Sequence, residues 1–514
     1  MHAFHALRRA ALAAPLLARA LSAPPSSLSL TRSLAPKLLD FGEVHEPTST
    51  RVLETFATPE EIYAAFADAG VDVELRDGDA PQDAAALERA CGVTLSHSVR
   101  TRHPLFLNQL YGGVDDASLA GEWLVAAANT NAHTFEVAPV FTVVERAVIA
   151  RVAALAGWGA GADGLTTPGG STSNLYGLHL AAHKADPNRR SRGAAGGPTL
   201  VAFVSGDSHY SFKKSCRVLG LGDDNVIAVP TDAEGRMRGD ALTSAVADAK
   251  AAGKTPFFVG STAGTTVRGS FDAIDEVAAI CEAEGLWHHV DGSWGGSALW
   301  DADASTRWLK GIEKCDSFVV NPHKLMNTAL SCSVFVTAPK NAGALVATNA
   351  AEAPYLFQPD KANTDLDAGD RTIMCGRRPD AFKLWLMWKA IGDVGMAHRV
   401  QRCLELAAHV RKRVVEATDG SLELVFGGGD FANVLFRAVP PKLREHRDPE
   451  ALGRVAPLVK KRMQERGDAL VGFQAQGGEV NFFRLVITQG ETLTEAMLDT
   501  MLETMVAYAA EDEH

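Results

Sequence analysis

Short runs of β-branched and aromatic residues punctuate the middle of the chain. They are Leu-Val-Ala-Phe-Val at 200–204, Pro-Phe-Phe-Val at 256–259, Leu-Trp-His-His-Val-Asp at 286–291 and Ser-Phe-Val-Val at 317–320. Near-continuous apolar runs bounded by Gly, Pro and polar clusters predict strands buried on both faces. Residues 273–284 have the spacing of an intervening helix. Strand–helix repetition over 101–340 predicts an α/β fold, a mostly parallel sheet with helices on both faces. Upstream, 40–92 reads as helical, and Thr58-Pro59-Glu60-Glu61 is a start signal: a capping Thr, then Pro and acids in the first turn. Apolar alternation is weak there, which suits an arm or a dimerisation segment. Residues 342–370, rich in Asn, Asp and Ala, read as a long exposed loop. Amphipathic helices at 382–390 and 400–417, strand-like runs at 434–436 and 481–487 and a last helix from Thr492 predict a smaller α+β carboxy-terminal domain.

Composition narrows the classes. The 514 residues are 46% apolar and 22% charged, as in an ordinary soluble globular protein. A net charge of −12, with no basic cluster beyond the Arg189-Arg190-Ser191-Arg192 turn, disfavours nucleic acid as a partner. No apolar run reaches the roughly 18 residues of a membrane span. Seven cysteines without a C-x-x-C pair argue for a reduced compartment and against a zinc site or disulfide framework. Residues 1–39 are different: five Lys/Arg, five Ser and no Asp or Glu. Such acid-poor, Arg- and Ser-rich starts resemble organelle transit peptides, which predicts a mitochondrial or plastid destination, or a cytoplasmic one if the leader is not used. A secretory signal is the rival, although Arg19 interrupts its apolar core.

The candidate chemistry lies at strand ends, where open α/β sheets bind ligands. Asp291 closes the run at 286–291, and Asn-Pro-His-Lys (321–324) follows the run at 317–320. A carboxylate and a lysine delivered there suit pyridoxal phosphate, which needs an amine anchor and an acid under its ring nitrogen. Asp291 has the alternative reading of a helix-capping residue, and a loop lysine is ordinarily solvated. Lys324 gains burial from the apolar strand and the Pro-His turn before it. Gly169-Gly170-Ser171-Thr172-Ser173-Asn174, leading into a helix, has the form of a phosphate cradle. It is neither a triphosphate loop nor a dinucleotide fingerprint. His209 could lie flat on a cofactor ring and shuttle a proton. Thr262, in Thr-Ala-Gly-Thr-Thr (262–266), can place a hydroxyl against the same ring.

Five ordered motifs carry a family resemblance: Asp-Gly-Leu-Thr-Thr-Pro-Gly-Gly-Ser-x-Ser-Asn (163–174), Ser-His-Tyr-Ser-x-Lys-Lys (208–214), Thr-Ala-Gly-Thr-Thr-Val-x-Gly-x-Phe-Asp (262–272), His-Val-Asp-x-x-Trp-Gly-Gly (289–296) and Asn-Pro-His-Lys (321–324). Over residues 95–505 the chain resembles the group II pyridoxal-phosphate-dependent amino acid decarboxylases. Within them it is most similar to the glutamate, cysteine sulfinate and aspartate branch. The resemblance implies the aspartate-aminotransferase-like fold (fold type I), with a mostly parallel seven-stranded sheet. Composition and pattern divide the chain into a leader at 1–39, an arm at 40–100, a cofactor-binding large domain at 101–390 and a small domain at 391–514. The resemblance also implies a homodimer with active sites at the interface. Lys324 would carry the cofactor, Asp291 would pair with the pyridinium and His209 would stack on the ring. Thr172, Ser173, Asn321 and His323 would surround the phosphate. Substrate contacts would come from Gln109, Leu110 and Tyr111, from Asn131, and from Arg484, whose guanidinium can grip a carboxylate by two parallel bonds.

Two positions depart from the family pattern. The mobile-loop tyrosine thought to reprotonate Cα is missing from Asp360-Lys361-Ala362-Asn363-Thr364-Asp365, which leaves His209 or water for that step. Tyr111 resembles the cysteine sulfinate and aspartate branch, whereas Asn131 resembles the glutamate side. A bulky ring shortens a pocket by about one methylene, worth roughly 1–3 kcal/mol. The expectation is therefore decarboxylation of a short acidic amino acid (cysteine sulfinate, cysteate or aspartate), with glutamate as the alternative. An aminotransferase or lyase would share Asp291 and Lys324 without the Gln109 segment. A non-catalytic scaffold of the same fold is the remote alternative.

Overall fold

A computed structural model describes residues 27–42, 51–355, 358 and 360–511. Most of the predicted leader, residues 1–26, lies outside the described residues; Ser27–Gly42 is a helix. The described chain forms two compact units, one of residues up to 106 with 460–470, the other of 107–459 with 471 onwards.

Among the described residues of the first unit, the helical prediction for 40–92 resolves into the end of Ser27–Gly42 and the helices Pro59–Asp68 and Ala84–Ser96, the last two separated by irregular chain. Thr58 caps the first of them. Its Oγ1 accepts from the Glu61 N–H, and the Glu61 carboxylate accepts from the Thr58 N–H, a reciprocal arrangement that satisfies two otherwise orphaned donors.

The second unit is built on a seven-stranded sheet: β1 Asp163–Thr167, β2 Leu200–Ser205, β3 Val226–Val229, β4 Thr255–Thr262, β5 Trp287–Gly292, β6 Ser317–Val320 and β7 Ser333–Thr337. The order is β1-β7-β6-β5-β4-β2-β3, and β7 alone runs antiparallel to its neighbours. The apolar runs are continuous because both faces are covered. Leu200, Ala202 and Val204 of β2 join a core with Tyr176, Leu178 and Leu180 of the Gly170–Ala185 helix. Val201 and Phe203 point the other way, against Leu242, Val246 and Val277 of the helices Gly239–Ala251 and Ile274–Glu284. Each fully buried Val, Leu or Phe contributes roughly 1.5–3 kcal/mol.

A second, antiparallel sheet carries β8 Leu422–Leu424, β9 Asn433–Ala438, β10 Leu470–Gln476 and β11 Glu479–Val486 in the order β10-β11-β9-β8. The two helices predicted at 382–390 and 400–417 form one run, Ala381–Glu416, broken at Gly392 with φ 66°. The region 342–370 is less irregular than predicted, with a helix at Ala344–Asn349 and short 3-10 turns at Thr364–Leu366 and Gly369–Arg371. The last helix, Glu495–Ala510, starts three residues later than predicted, and Thr494 caps it, its side chain accepting from Met497 N–H. No helix among the described residues is long and apolar enough to cross a membrane.

Candidate active site

The sheet delivers the candidate groups to one end. Trp287, His289 and Asp291 alternate on β5, so they share one face. Thr262 is the register partner of Asp291 on β4. β6 ends at Val320, and Lys324 follows in a turn closed by its own N–H to the Asn321 carbonyl (2.9 Å). A cavity of about 210 Å³ opens there, walled by Gly170, Ser171, His209, Tyr210, Thr262, Thr266, Asp291, Asn321 and Lys324 among others. Five residues singled out from the sequence, His209, Thr262, Asp291, Asn321 and Lys324, therefore meet around one space.

Charge is tuned by burial and by partners. Burial opposes ionisation of Asp291, but hydrogen bonds from Ser293 N–H (3.1 Å) and Asn174 Nδ2 (2.8 Å), with the basic groups of Lys324 and His209 nearby, hold the carboxyl below its usual range. Burial pulls the Lys324 amine down to about 8, with Asp291 opposing. A lysine so placed is partly neutral near physiological pH and available as a nucleophile. Burial also lowers His209. Its Nδ1 accepts from Ser211 N–H (3.3 Å), so the neutral ring carries its proton on Nε2.

Asn174 is the residue that sequence reasoning left without a role. Its Nδ2 donates to Asp291 Oδ2 and to Ser211 Oγ (2.9 Å), and its Oδ1 faces His289 Nε2 (3.0 Å). Ser211 Oγ also meets His209 Nδ1 (2.9 Å). On the far side, His289 Nδ1 and Trp287 Nε1 both reach Ser317 Oγ (2.9 Å each). Burial holds His289 down to about 4, so it is neutral. One buried network thus joins the acid to the stacking histidine. Its visible signal was the terminal Asn of the Gly-Gly-Ser-Thr-Ser-Asn run.

The phosphate candidates divide. Gly170 and Ser171 line the cavity at the helix start, and a Cβ on Gly170 would meet Ser293 Oγ at 2.1 Å, so the close approach requires glycine. Ser173 is buried in a hydroxyl chain, Thr167 Oγ1 at 2.7 Å and Ser333 Oγ at 3.2 Å, which continues to Asn321 Oδ1. His323 Nδ1 is engaged by the backbone of Cys332. Thr172 and His323 are not among the cavity-lining residues.

The substrate candidates are farther out. Gln109 is exposed, and Leu110 and Tyr111 are half-buried. Asn131 Oδ1 accepts from Arg377 N–H (2.8 Å). None of these lines the Lys324 cavity. Arg484, on β11, approaches it: Nη1 donates to the carbonyl of the cavity residue Thr266 (3.1 Å) and Nη2 to that of Asn108 (2.6 Å). Its Nε has no partner, and burial alone lowers its basicity, with no carboxylate beside it among the described residues.

These residues fit pyridoxal phosphate. Amine, acid and imidazole converge, a glycine cradle stands at a helix start, and Thr262 Oγ1, 4% exposed as a residue, has no hydrogen-bond partner in the protein. A doubly wound sheet with this lysine–aspartate pair defines a fold type I pyridoxal-phosphate enzyme. Residues 71–439 match the family described as the pyridoxal-dependent decarboxylase conserved domain, and the chain belongs to that family of amino acid decarboxylases. It is 42% identical over 432 residues to the bovine (Bos taurus) acidic amino acid decarboxylase GADL1, covering 83% of this chain and 81% of the relative. It is 39% identical over 497 residues to Drosophila melanogaster glutamate decarboxylase, covering 95% and 94%. Among solved structures, mouse CSAD superposes with a TM-score of 0.86 at 35% identity, over 94% of this chain and 97% of that one.

Proposed function

We propose that this decarboxylase acts on a short acidic L-amino acid (cysteine sulfinate, cysteate or aspartate), releasing carbon dioxide and the corresponding amine. The observation that carries the reading is Arg484, a largely buried guanidinium that, among the described residues, has an unpaired Nε and no carboxylate beside it, and that donates to the carbonyl of the cavity residue Thr266. A cation in that state favours a ligand that brings a carboxylate. Relatives named as acidic amino acid and glutamate decarboxylases support the substrate class.

When bound, pyridoxal phosphate supplies an electron sink for the pair left on Cα as carbon dioxide departs. Lys324 would hold the cofactor through its side-chain amine, the bond that an incoming substrate amine would replace. Asp291, held ionised by Asn174 and Ser293, keeps the ring nitrogen protonated. Arg484 would orient the substrate by gripping its carboxylate, and such fixed orientation is worth several kcal/mol. With no tyrosine in residues 360–365, the proton that Cα takes up in place of carbon dioxide would come from water or from His209 in its protonated form.

The enzyme is further proposed to be a homodimer with its sites at the interface. Tyr210 supports this, since it lines the cavity yet is 62% exposed in the single chain; Trp123, Leu124, Val140 and Val143 are also exposed. The composition of residues 1–39 supports delivery to a mitochondrion or plastid, which fractionation of tagged full-length protein tests.

Carbon dioxide release from cysteine sulfinate, cysteate, aspartate and glutamate, measured side by side, decides the substrate. Preference for one of the first three is expected. Tyr111 lies outside the cavity of the single chain, so this test bears on the proposed dimer: if the interface brings Tyr111 to the pocket, Tyr111→Ser should shift the ratio toward glutamate by roughly tenfold or more. Equal inertness toward all four acids overturns the substrate class, and a native preference for glutamate selects the alternative.

A further inference from the structure

Two residues before His209, the carboxylate of Asp207 meets a charged group that the catalytic account does not use. Asp207 Oδ2 lies 3.6 Å from Arg268 Nε, with the two side chains 20% and 12% exposed. Neither atom forms a hydrogen bond among the described residues, so the contact is an ion pair alone. Asp207 Oδ1 accepts from Gln476 Nε2 (3.1 Å), at the end of β10. Arg268 is itself fixed on several sides. Its guanidinium lies 3.8 Å from the centre of the Phe426 ring, its Nη1 donates to the Ala233 carbonyl (3.0 Å), and its own carbonyl accepts from Asp430 N–H (2.7 Å). Gly235, with φ 81°, closes over the pair, and a Cβ there would meet Arg268 Cδ and Asp207 Oδ2 at 3.0 Å each.

The loop that carries Arg268 is rigid. Ala263 and Phe271 form a β-bridge, Gly264 and Thr265 N–H both donate to the Ser270 carbonyl (3.0 and 2.9 Å), and Asp272 accepts from Thr262 N–H (2.7 Å). An arginine on such a loop is a fixed post, and an aspartate ion-paired with it is drawn to that position. The chain between Asp207 and His209 has only Ser208 to absorb a displacement. An imidazole that must lie flat on a ring tolerates little misplacement, since about 1 Å can cost on the order of a hundredfold in rate.

We propose that Arg268 is a positioning residue for the decarboxylation: through its ion pair with Asp207 it fixes the turn that presents His209 to the cofactor. The proposal rests on the reading that His209 contacts the cofactor ring. Arg268→Met removes the charge while keeping apolar length over Phe426, Arg268→Lys restores the charge, and His209→Asn removes the group acted upon. In the holoenzyme, Arg268→Met should lower kcat roughly ten- to a hundredfold with KM changed far less, and should alter the visible circular dichroism of the bound cofactor. Arg268→Lys should recover part of both. In a His209→Asn background, Arg268→Met should cost no more than about twofold further.

An equal loss in both backgrounds, or wild-type kcat and dichroism in Arg268→Met, overturns the positioning role. If Arg268→Met does not fold, Asp207→Asn takes its place in the same cycle with the same expected outcomes. A His209→Asn enzyme with unchanged rate and spectrum would instead remove the stacking assignment, and the coupling with it.

Discussion

The wall of the cofactor cavity and the outer region meant to meet the substrate are built in opposite ways. At the wall, Asp291 is tied into a buried network: Asn174 bridges Asp291, Ser211 and His289, and Ser317 closes the chain. In the outer region, Lys361 pairs with Glu136 (2.7 Å) and Asp365 with Arg146 (3.0 Å), and three of these four side chains are well exposed. Gln109 lies open to solvent. The difference teaches where precision is needed. The electron sink must be set before substrate arrives, whereas groups that admit and enclose a small acid must be free to move.

That contrast can be broken most severely at the acid. Asp291→Asn should retain cofactor on Lys324, as shown by borohydride trapping, while kcat falls roughly a hundredfold or more. A rate within threefold of wild type would mean that the ring nitrogen does not need this carboxylate. Next comes Asn174→Ala, which strands buried partners on three sides and should cost about 1–3 kcal/mol in denaturation of the holoenzyme, with weaker cofactor retention. Unchanged stability and retention would show that the network is dispensable.

The lysine sharpens the comparison through pH. Only the neutral amine attacks the cofactor aldehyde, and burial has brought the Lys324 pKa down to about 8. Cofactor capture by apoenzyme, followed by stopped flow, should therefore rise roughly tenfold per pH unit below that value and level off above it. A rise continuing unbroken past pH 9 contradicts a buried amine. The smallest effect belongs to the outer region. Asp365→Ala removes an exposed ion pair and should change stability by about 0–1 kcal/mol. A larger loss would show that the loop is built into the fold.

The same contrast explains what the sequence disclosed. Strands β2, β4, β5 and β6 were legible because burial on both faces leaves an unbroken apolar run in each. β1, Asp-Gly-Leu-Thr-Thr, was not legible as a strand, since Asp and Gly are poor strand formers and the pairing comes from β7, about 170 residues away. Asp291 and Lys324 were legible because each sits immediately beyond such a run. Asn174 was named in its motif, but its work depends on a partner 117 residues distant that only the fold brings within reach. The helix Ala344–Asn349 was hidden in a polar stretch whose composition resembles a loop. Ser171 rather than Thr172 faces the cavity, because which hydroxyl of a cradle points outward depends on helix phase.

The unmatched guanidinium of residue 484 also makes the empty enzyme less stable than it could be. Any small dianion that neutralises it, reactive or inert, should raise the melting temperature in proportion to its fit. Heat alone then becomes a screen: unreactive acids of graded length would measure the depth of the pocket without a single turnover.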